Sequence, residues 1–108
     1  APKVTEISVR ELHEIRQRGL PHFLLDVREP DEYVTAQISG STLIPLSQVT
    51  ERTAEIPREM PVYVHCKLGG RSARAVASLQ KLGFQNVTNV AGGITAWSDE
   101  IDASVPRY

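Results

Sequence analysis

Apolar residues along the chain alternate between strand-like and helix-like periodicity, and this alternation limits the possible folds more than any other feature. Residues 23–27 (FLLDV) and 61–65 (PVYVH) are short apolar runs typical of buried strands. Shorter strand-like stretches lie at 4–7, 42–44 and 86–90, and helix-like stretches follow at 9–18, 30–34, 46–56, 72–82 and 94–101. Strands that alternate with helices predict an α/β fold, with a mainly parallel central sheet flanked by helices on both faces.

Local signals mark where several helices begin and end. Ser8 and Glu11 have the spacing of a capping box, which predicts a helix start there. Gly19 and Gly83 are placed to end helices in the left-handed conformation. The helix over 72–82 is predicted to have an apolar side formed by four residues, Ala73, Val76, Ala77 and Leu79.

The composition fits one compact domain. The chain has 108 residues, of which 41% are hydrophobic and 23% charged, so residues 1–108 are expected to share a single core. A net charge of -1 gives no reason to expect nucleic acid or an anionic membrane as a partner. No apolar stretch approaches the roughly 20 residues of a membrane helix. No secretory leader is recognisable at Ala1, although the chain could be an excised piece of a longer protein.

Cys66 is the only cysteine, so no internal disulfide can form and a cytoplasmic location is expected. The three histidines, His13, His22 and His65, show no metal-ligand spacing with Cys66. We therefore predict neither a metal nor another cofactor.

The segment that carries chemistry is Cys66-Lys67-Leu68-Gly69-Gly70-Arg71-Ser72, between a predicted buried strand and the helix over 72–82. In parallel sheets, ligands collect at the carboxyl ends of strands. A strand-to-helix turn also directs backbone N–H groups toward one centre, beside the positive end of the helix dipole. These donors and the Arg71 guanidinium favour a Cys66 thiolate, which predicts a reactive nucleophile.

Two alternatives stand beside this interpretation. Cys66 could be an inert, buried hydrophobe in a turn made by glycines. The segment could also bind phosphate, because phosphatases with a cysteine nucleophile use a comparable loop that is one residue longer. Four residues separate Cys66 from Arg71, and this smaller cradle favours a sulfane sulfur. The lack of a second cysteine disfavours an arsenate reductase that relays electrons between thiols.

The chain resembles a rhodanese domain over nearly its whole length, in three segments that occur in the family's order. They are residues 24–33 (LLDVREPDEY), the loop 66–72 (CKLGGRS) and residues 92–97 (GGITAW). One departure is visible at 36–41 (AQISGS), where the family usually has Gly-His-Ile-Pro-Gly-Ala. The loop and the ending SVPRY at 104–108 also resemble the C-terminal rhodanese domain of E1-like adenylyltransferase–sulfurtransferases, which would make this chain a fragment of a longer enzyme.

The resemblance implies a rhodanese-like fold and a sulfurtransferase in which Cys66 carries sulfur as a persulfide. It implies a donor such as thiosulfate or a protein persulfide, an acceptor such as a ubiquitin-like sulfur-carrier protein, and an adenylate-forming domain in the same chain. Substrate binding would fall to the loop residues Lys67, Leu68, Gly69, Gly70, Arg71 and Ser72. A non-catalytic docking module with the same fold is the alternative.

Residues outside the loop are assigned supporting roles. Asp26 ends a buried strand, where an unpaired carboxylate is costly. The resemblance implies that it pairs with Arg71 or with loop N–H groups, and the alternative is that it caps the following turn. Arg28 is expected either in the wall of the site or on the surface. His65 is expected to be packed or partly buried and not to pair with Cys66, because adjacent strand residues point to opposite faces. Trp97 is expected to cover the core.

Overall fold

The computed structural model describes residues 4–108 and contains a five-stranded sheet with helices on both sides. The strands are β1 (Glu6–Ile7), β2 (Phe23–Asp26), β3 (Thr42–Leu43), β4 (Val62–His65) and β5 (Val87–Val90). The α-helices are α1 (Val9–Gln17), α2 (Pro30–Thr35), α3 (Gly70–Lys81) and α4 (Gly93–Glu100). Two 3₁₀ segments, Leu46–Glu51 and Thr53–Glu55, lie between β3 and β4. The predicted α/β fold is confirmed.

All strand pairings are parallel, in the order β1-β5-β4-β2-β3. The chain leaves β2 toward β3 on one side, and it leaves β4 toward β5 on the other. The order therefore reverses between β2 and β4, and the crevice beyond their carboxyl ends is the place where open parallel sheets bind ligands. Asp26 and His65 pair in register at those ends. Cys66 follows His65 directly in the chain.

The core has two parts, one on each face of the sheet. Leu25 and Val64 face a cluster that includes α3 and the first 3₁₀ segment. Leu24 faces the opposite cluster, which includes α1 and α4. Neighbouring residues of one strand thus enter different clusters, as the alternation of side chains across a sheet requires. Trp97 is 6% exposed in the second cluster, so the prediction that it covers the core is confirmed.

The predicted start of α1 is confirmed in detail. The Ser8 hydroxyl accepts a hydrogen bond from the Glu11 N–H at 3.1 Å, and the Ser8 N–H donates to the Glu11 carboxylate at 3.2 Å. Both bonds satisfy donors that the first helical turn leaves without partners. Gly19 follows the helix with φ +64°.

Several element boundaries differ from prediction by a residue or two, and three elements differ in a way that matters. The first strand occupies only Glu6–Ile7, because its register with β5 pairs those two residues alone. The helix expected over 46–56 is instead the pair of 3₁₀ segments. Helix α3 begins at Gly70 rather than 72, and its buried residues are Ser72, Ala75, Val76 and Leu79. The apolar side predicted for this helix is therefore wrong at Ala73 and Ala77.

Among residues 4–108, no helix is long and apolar enough to cross a membrane.

Candidate active site

Cys66 immediately follows β4 and is 1% exposed. Its Sγ accepts a hydrogen bond from the Gly69 N–H at 3.1 Å and lies 3.3 Å from the Ser72 hydroxyl. Gly69 precedes α3 and Ser72 lies in its first turn, so the positive end of that helix dipole faces the sulfur. The backbone thus converges on Sγ as the sequence predicts.

The pKa of the Cys66 thiol is lowered. Burial alone would raise this pKa, since it removes water from the thiolate. The hydrogen bond from the Ser72 hydroxyl works against burial, together with bonds from the backbone N–H groups of Ser72, Gly69 and Leu68. Because these donors favour the charged form, the site holds a thiolate more easily than an ordinary buried cysteine would.

Only one of the two adjacent loop glycines has a backbone that other residues resist. Gly69 has φ +114°, and a Cβ there would lie 3.4 Å from the Gly92 nitrogen. Gly70 has no positive φ and nothing within 4 Å of its Cβ position. Gly69 therefore makes the turn, and Gly70 enters the helix as its first residue.

The loop rests on the start of α4. The Ile94 N–H donates to the Cys66 carbonyl at 2.9 Å, and the Thr95 N–H donates to the Lys67 carbonyl at 3.1 Å. A Cβ on Gly93 would lie 2.5 Å from the Lys67 carbonyl oxygen and would also contact that of Cys66. The lack of a side chain at Gly93 therefore allows the start of α4 to pack closely against the backbone of the loop.

A cavity of about 300 Å³ opens over the sulfur and is lined by Cys66, Lys67, Leu68, Gly70, Arg71 and Arg74. Three of these side chains are cationic, and Leu68 is 67% exposed at its mouth. Two other cavities, of about 390 and 400 Å³, are not lined by Cys66. The cavity over Cys66 can therefore admit an anion to the sulfur.

Arg71 is held by Glu32, a partner that sequence reasoning missed. Its guanidinium donates to both Glu32 carboxylate oxygens, at 2.7 and 3.0 Å. This pairing lowers the pKa of Glu32 to about 2 and raises that of Arg71. The signal was available, since Glu32 lies in the first segment that resembles the rhodanese family, and α2 brings it to the loop.

The expected pairing of Asp26 with Arg71 or the loop is wrong. Asp26 instead accepts from Arg28, whose Nε and Nη2 lie 2.9 and 2.6 Å from its oxygens, and both side chains are fully buried. Arg28 is thus neither a wall of the cavity nor a surface residue. Asp26 also accepts from the Arg28 N–H at 3.0 Å, so it caps the turn that follows β2, and its buried carboxylate is satisfied within its own segment.

His65 is fully buried beside this ion pair and points away from the Cys66 sulfur, as predicted. Its Nε2 lies 3.7 Å from an Asp26 oxygen, and its Nδ1 lies 3.4 Å from the Cys66 carbonyl oxygen. Burial lowers the pKa of His65 and outweighs the opposing effect of the Asp26 carboxylate. A neutral imidazole therefore packs beneath the site.

Tyr108 connects the buried Asp26–Arg28 pair to the loop, a role that was not predicted from the sequence. Its hydroxyl accepts from Arg28 Nη1 and donates to Glu32, both at 2.8 Å. The Lys67 ammonium lies 4.5 Å from the centre of its ring, within cation–π range. Tyr108 thus contacts Lys67 of the loop, Glu32 that pairs with Arg71, and Arg28 of the buried ion pair.

Among residues 4–108, no group of three or more His, Cys, Asp or Glu side chains is placed to hold a metal ion.

The chain is similar to proteins whose names contain sulfurtransferase or rhodanese-like. Relatives include a Mycobacterium tuberculosis protein named "Probable adenylyltransferase/sulfurtransferase MoeZ", 36% identical over 100% of this chain and 28% of that protein. Another is the Arabidopsis thaliana "Rhodanese-like/PpiC domain-containing protein 12, chloroplastic", 40% identical over 97% of this chain and 38% of that protein. The chain therefore spans only about a third of the length of these relatives.

A solved structure has the same fold at nearly the same length. The rhodanese-like domain protein from Staphylococcus aureus superposes with a TM-score of 0.84 at 28% identity, covering 97% of this chain and 99% of that one. The rhodanese-like domain family itself matches residues 8–100. This match covers most of the chain and includes the cysteine loop, so the chain belongs to the rhodanese-like domain family.

Proposed function

We propose that this chain is a sulfurtransferase domain in which Cys66 carries sulfane sulfur as a persulfide. The observation that supports this most strongly is the pair of donors on Sγ, the Gly69 N–H at 3.1 Å and the Ser72 hydroxyl at 3.3 Å. Together they favour a thiolate at the bottom of a cationic cavity. A thiolate there can attack an anionic sulfur donor that the cavity's charges attract.

With thiosulfate as donor, the reaction balances without an oxidant. The Cys66 thiolate attacks the outer sulfur of thiosulfate, a new S–S bond forms, and the old S–S bond breaks as sulfite leaves with the bonding electron pair. The enzyme then holds a persulfide. An acceptor nucleophile takes the outer sulfur and returns the Cys66 thiolate.

The acceptor side requires another molecule or domain, because Cys66 is the only cysteine. The similarity to an adenylyltransferase/sulfurtransferase supports an adenylate-forming domain in the same protein and a ubiquitin-like sulfur-carrier protein as acceptor. Residues 1–108 would then be one rhodanese domain, placed at the C-terminal end of a longer enzyme. The donor would be thiosulfate or a protein persulfide, in a cytoplasmic setting that keeps Cys66 reduced.

Thiocyanate formation from thiosulfate and cyanide tests this proposal. We expect turnover in the native protein and none in Cys66→Ser, whose hydroxyl is a poor leaving group and nucleophile for sulfur. Arg74→Met is a matched variant that removes a cation from the cavity wall without touching Sγ. It should raise KM for thiosulfate while kcat stays nearly constant. Equal turnover in the native protein and Cys66→Ser would refute the proposal.

The exposure of Leu68 favours one alternative, a docking module. Leu68 is 67% exposed at the cavity mouth, as an apolar contact for a partner would be. The alkylation rate of Cys66 by iodoacetamide separates the two functions. A sulfurtransferase needs a thiolate near neutral pH, so Cys66 should react faster than a free thiol at pH 6. A rate no greater than that of the free thiol would favour the docking module.

A further inference from the structure

The Gly69 carbonyl has more donors within reach than it can accept. A carbonyl oxygen has two lone pairs, yet three donors lie within hydrogen-bond distance. They are the Ala73 N–H at 3.1 Å, the Ser72 hydroxyl at 3.2 Å and the Asn89 amide at 3.3 Å. The helical N–H of Ala73 is fixed by the backbone, so Ser72 and Asn89 compete for the remaining position.

The Ser72 hydroxyl has a second acceptor, which is the Cys66 sulfur. It lies 3.2 Å from the Gly69 oxygen and 3.3 Å from Cys66 Sγ. A hydroxyl carries a single hydrogen, so Ser72 can donate to only one of the two at a time. The thiolate gains a hydrogen bond only when the hydroxyl donates to Cys66 Sγ and not to the Gly69 oxygen.

Asn89 is placed to decide this competition. It lies in β5, is 1% exposed, and its Nδ2 also donates to a Glu6 carboxylate oxygen at 2.8 Å. Glu6 and the Gly69 carbonyl can only accept, so both contacts require the nitrogen of the amide to face them. Water does not reach this site to replace the donor, because the side chain is buried.

We propose that Asn89 is a positioning residue that occupies the Gly69 carbonyl and thereby turns the Ser72 hydroxyl toward the Cys66 sulfur. This inference rests on the proposed function and deepens it, since it assigns a role to a strand outside the cysteine loop. Asn89 acts through Ser72 and does not touch the sulfur. Asn89 therefore affects Cys66 only by way of Ser72, so the effects of the two residues on the thiol are not independent.

A double-mutant cycle of Asn89 and Ser72, with the reactivity of Cys66 as the readout, tests whether Asn89 acts through Ser72. The rate of alkylation by iodoacetamide is followed against pH, and its midpoint reports the pKa of the thiol. Ser72→Ala removes a hydrogen bond to the thiolate and should raise the midpoint by about one pH unit. Asn89→Leu should raise it by a smaller amount when Ser72 is present and should add nothing to Ser72→Ala.

Two controls accompany the cycle. Glu6→Gln keeps an acceptor for the Asn89 amide and should leave the midpoint where it is in the native protein. The charged groups that line the cavity with Cys66 are Lys67, Arg71 and Arg74, and no variant of the cycle changes them. If Asn89→Leu does not fold, Asn89→Ala removes the same donor with a smaller side chain that carries no donor of its own.

Two outcomes would overturn the inference. One is an unchanged midpoint in the folded Asn89 variant. The other is a shift of the midpoint that is equally large with and without Ser72, which would show that Asn89 does not act through Ser72. The assay involves no sulfur transfer, so a failed cycle leaves the persulfide function standing, and failed loading by thiosulfate leaves the cycle intact.

Discussion

Gly93→Ala tests how closely the start of α4 supports the cysteine loop. Gly93 has φ +57°, and a Cβ there would lie 2.5 Å from the Lys67 carbonyl oxygen and 2.7 Å from the Lys67 carbonyl carbon. Both atoms belong to the backbone, so no side chain can rotate away. The loop or the helix would have to move, and the N–H groups of Ile94 and Thr95 would lose their present acceptors, the carbonyls of Cys66 and Lys67.

Two costs contribute to the expected loss of stability. A left-handed backbone costs a non-glycine residue about 1–2 kcal/mol. Forcing an extra methyl group into a packed region costs about 1–3 kcal/mol more. Gly93→Ala should therefore lower the free energy of unfolding by about 2–5 kcal/mol. This is a large share of the roughly 5–15 kcal/mol that holds a domain of ordinary stability together.

Gly19→Ala is the matched control, because it carries the first cost without the second. Gly19 has φ +64° and nothing within 4 Å of its Cβ position. Thermal unfolding followed by circular dichroism should show Gly93→Ala melting at least about 4 °C below Gly19→Ala. Cys66 alkylation should slow only in Gly93→Ala. Equal melting temperatures for the two variants would refute the claim that Gly93 is needed for close approach.

Three further predictions concern the residues around the loop. Tyr108→Phe keeps the ring but removes the hydroxyl bonded to Arg28 and Glu32, so chemical denaturation should show a loss of about 1–2 kcal/mol. Burial lowers the pKa of His65, so the stability it contributes is present above the unfolded pKa of about 6.5 and is lost as pH falls; His65→Asn should lessen this acid sensitivity. Arg71→Lys removes the two-bond pairing, so the pKa of Glu32 should rise from about 2 in an NMR titration.

Each of these has a result that would contradict it. Unchanged stability in Tyr108→Phe would mean that water replaces the hydroxyl for Arg28 and Glu32. An acid sensitivity that persists in full in His65→Asn would assign it to other groups. An unchanged pKa for Glu32 in Arg71→Lys would show that donors other than the guanidinium hold that carboxylate in its charged form.

The sheet and the cysteine loop could be predicted because their signals are local. The apolar runs at 23–27 and 61–65, the capping box at Ser8 and the glycines at 69–70 all lie within a few residues of the structures they specify. The segment 46–56 shows the limit. Leu46 and Val49 pack on the core three residues apart, a spacing that a 3₁₀ helix places on one side, so a helical pattern there did not distinguish the two helix types.

The partners of the charged residues could not be predicted, because they depend on distant parts of the chain. Glu32 and Arg71 are 39 positions apart, and Tyr108 is 76 positions from Glu32. Asp26 was expected to reach Arg71 because an unpaired carboxylate at the end of a buried strand is costly and because the family resemblance implies this partner. Sequence alone did not show that Glu32, on α2, would be the residue that pairs with Arg71. The buried face of α3 was misplaced for a related reason, since Ser72 turns inward to reach the Cys66 sulfur.

Peptide mass spectrometry after incubation with thiosulfate shows whether Cys66 takes up a sulfur atom. The peptide that contains Cys66 should gain the mass of one sulfur atom, and cyanide should remove that gain and release thiocyanate. The same peptide from Cys66→Ser should show no gain, and Gly19→Ala should load like the native protein. Absence of the added sulfur on Cys66 in the folded native protein, with thiosulfate in excess, would contradict the account.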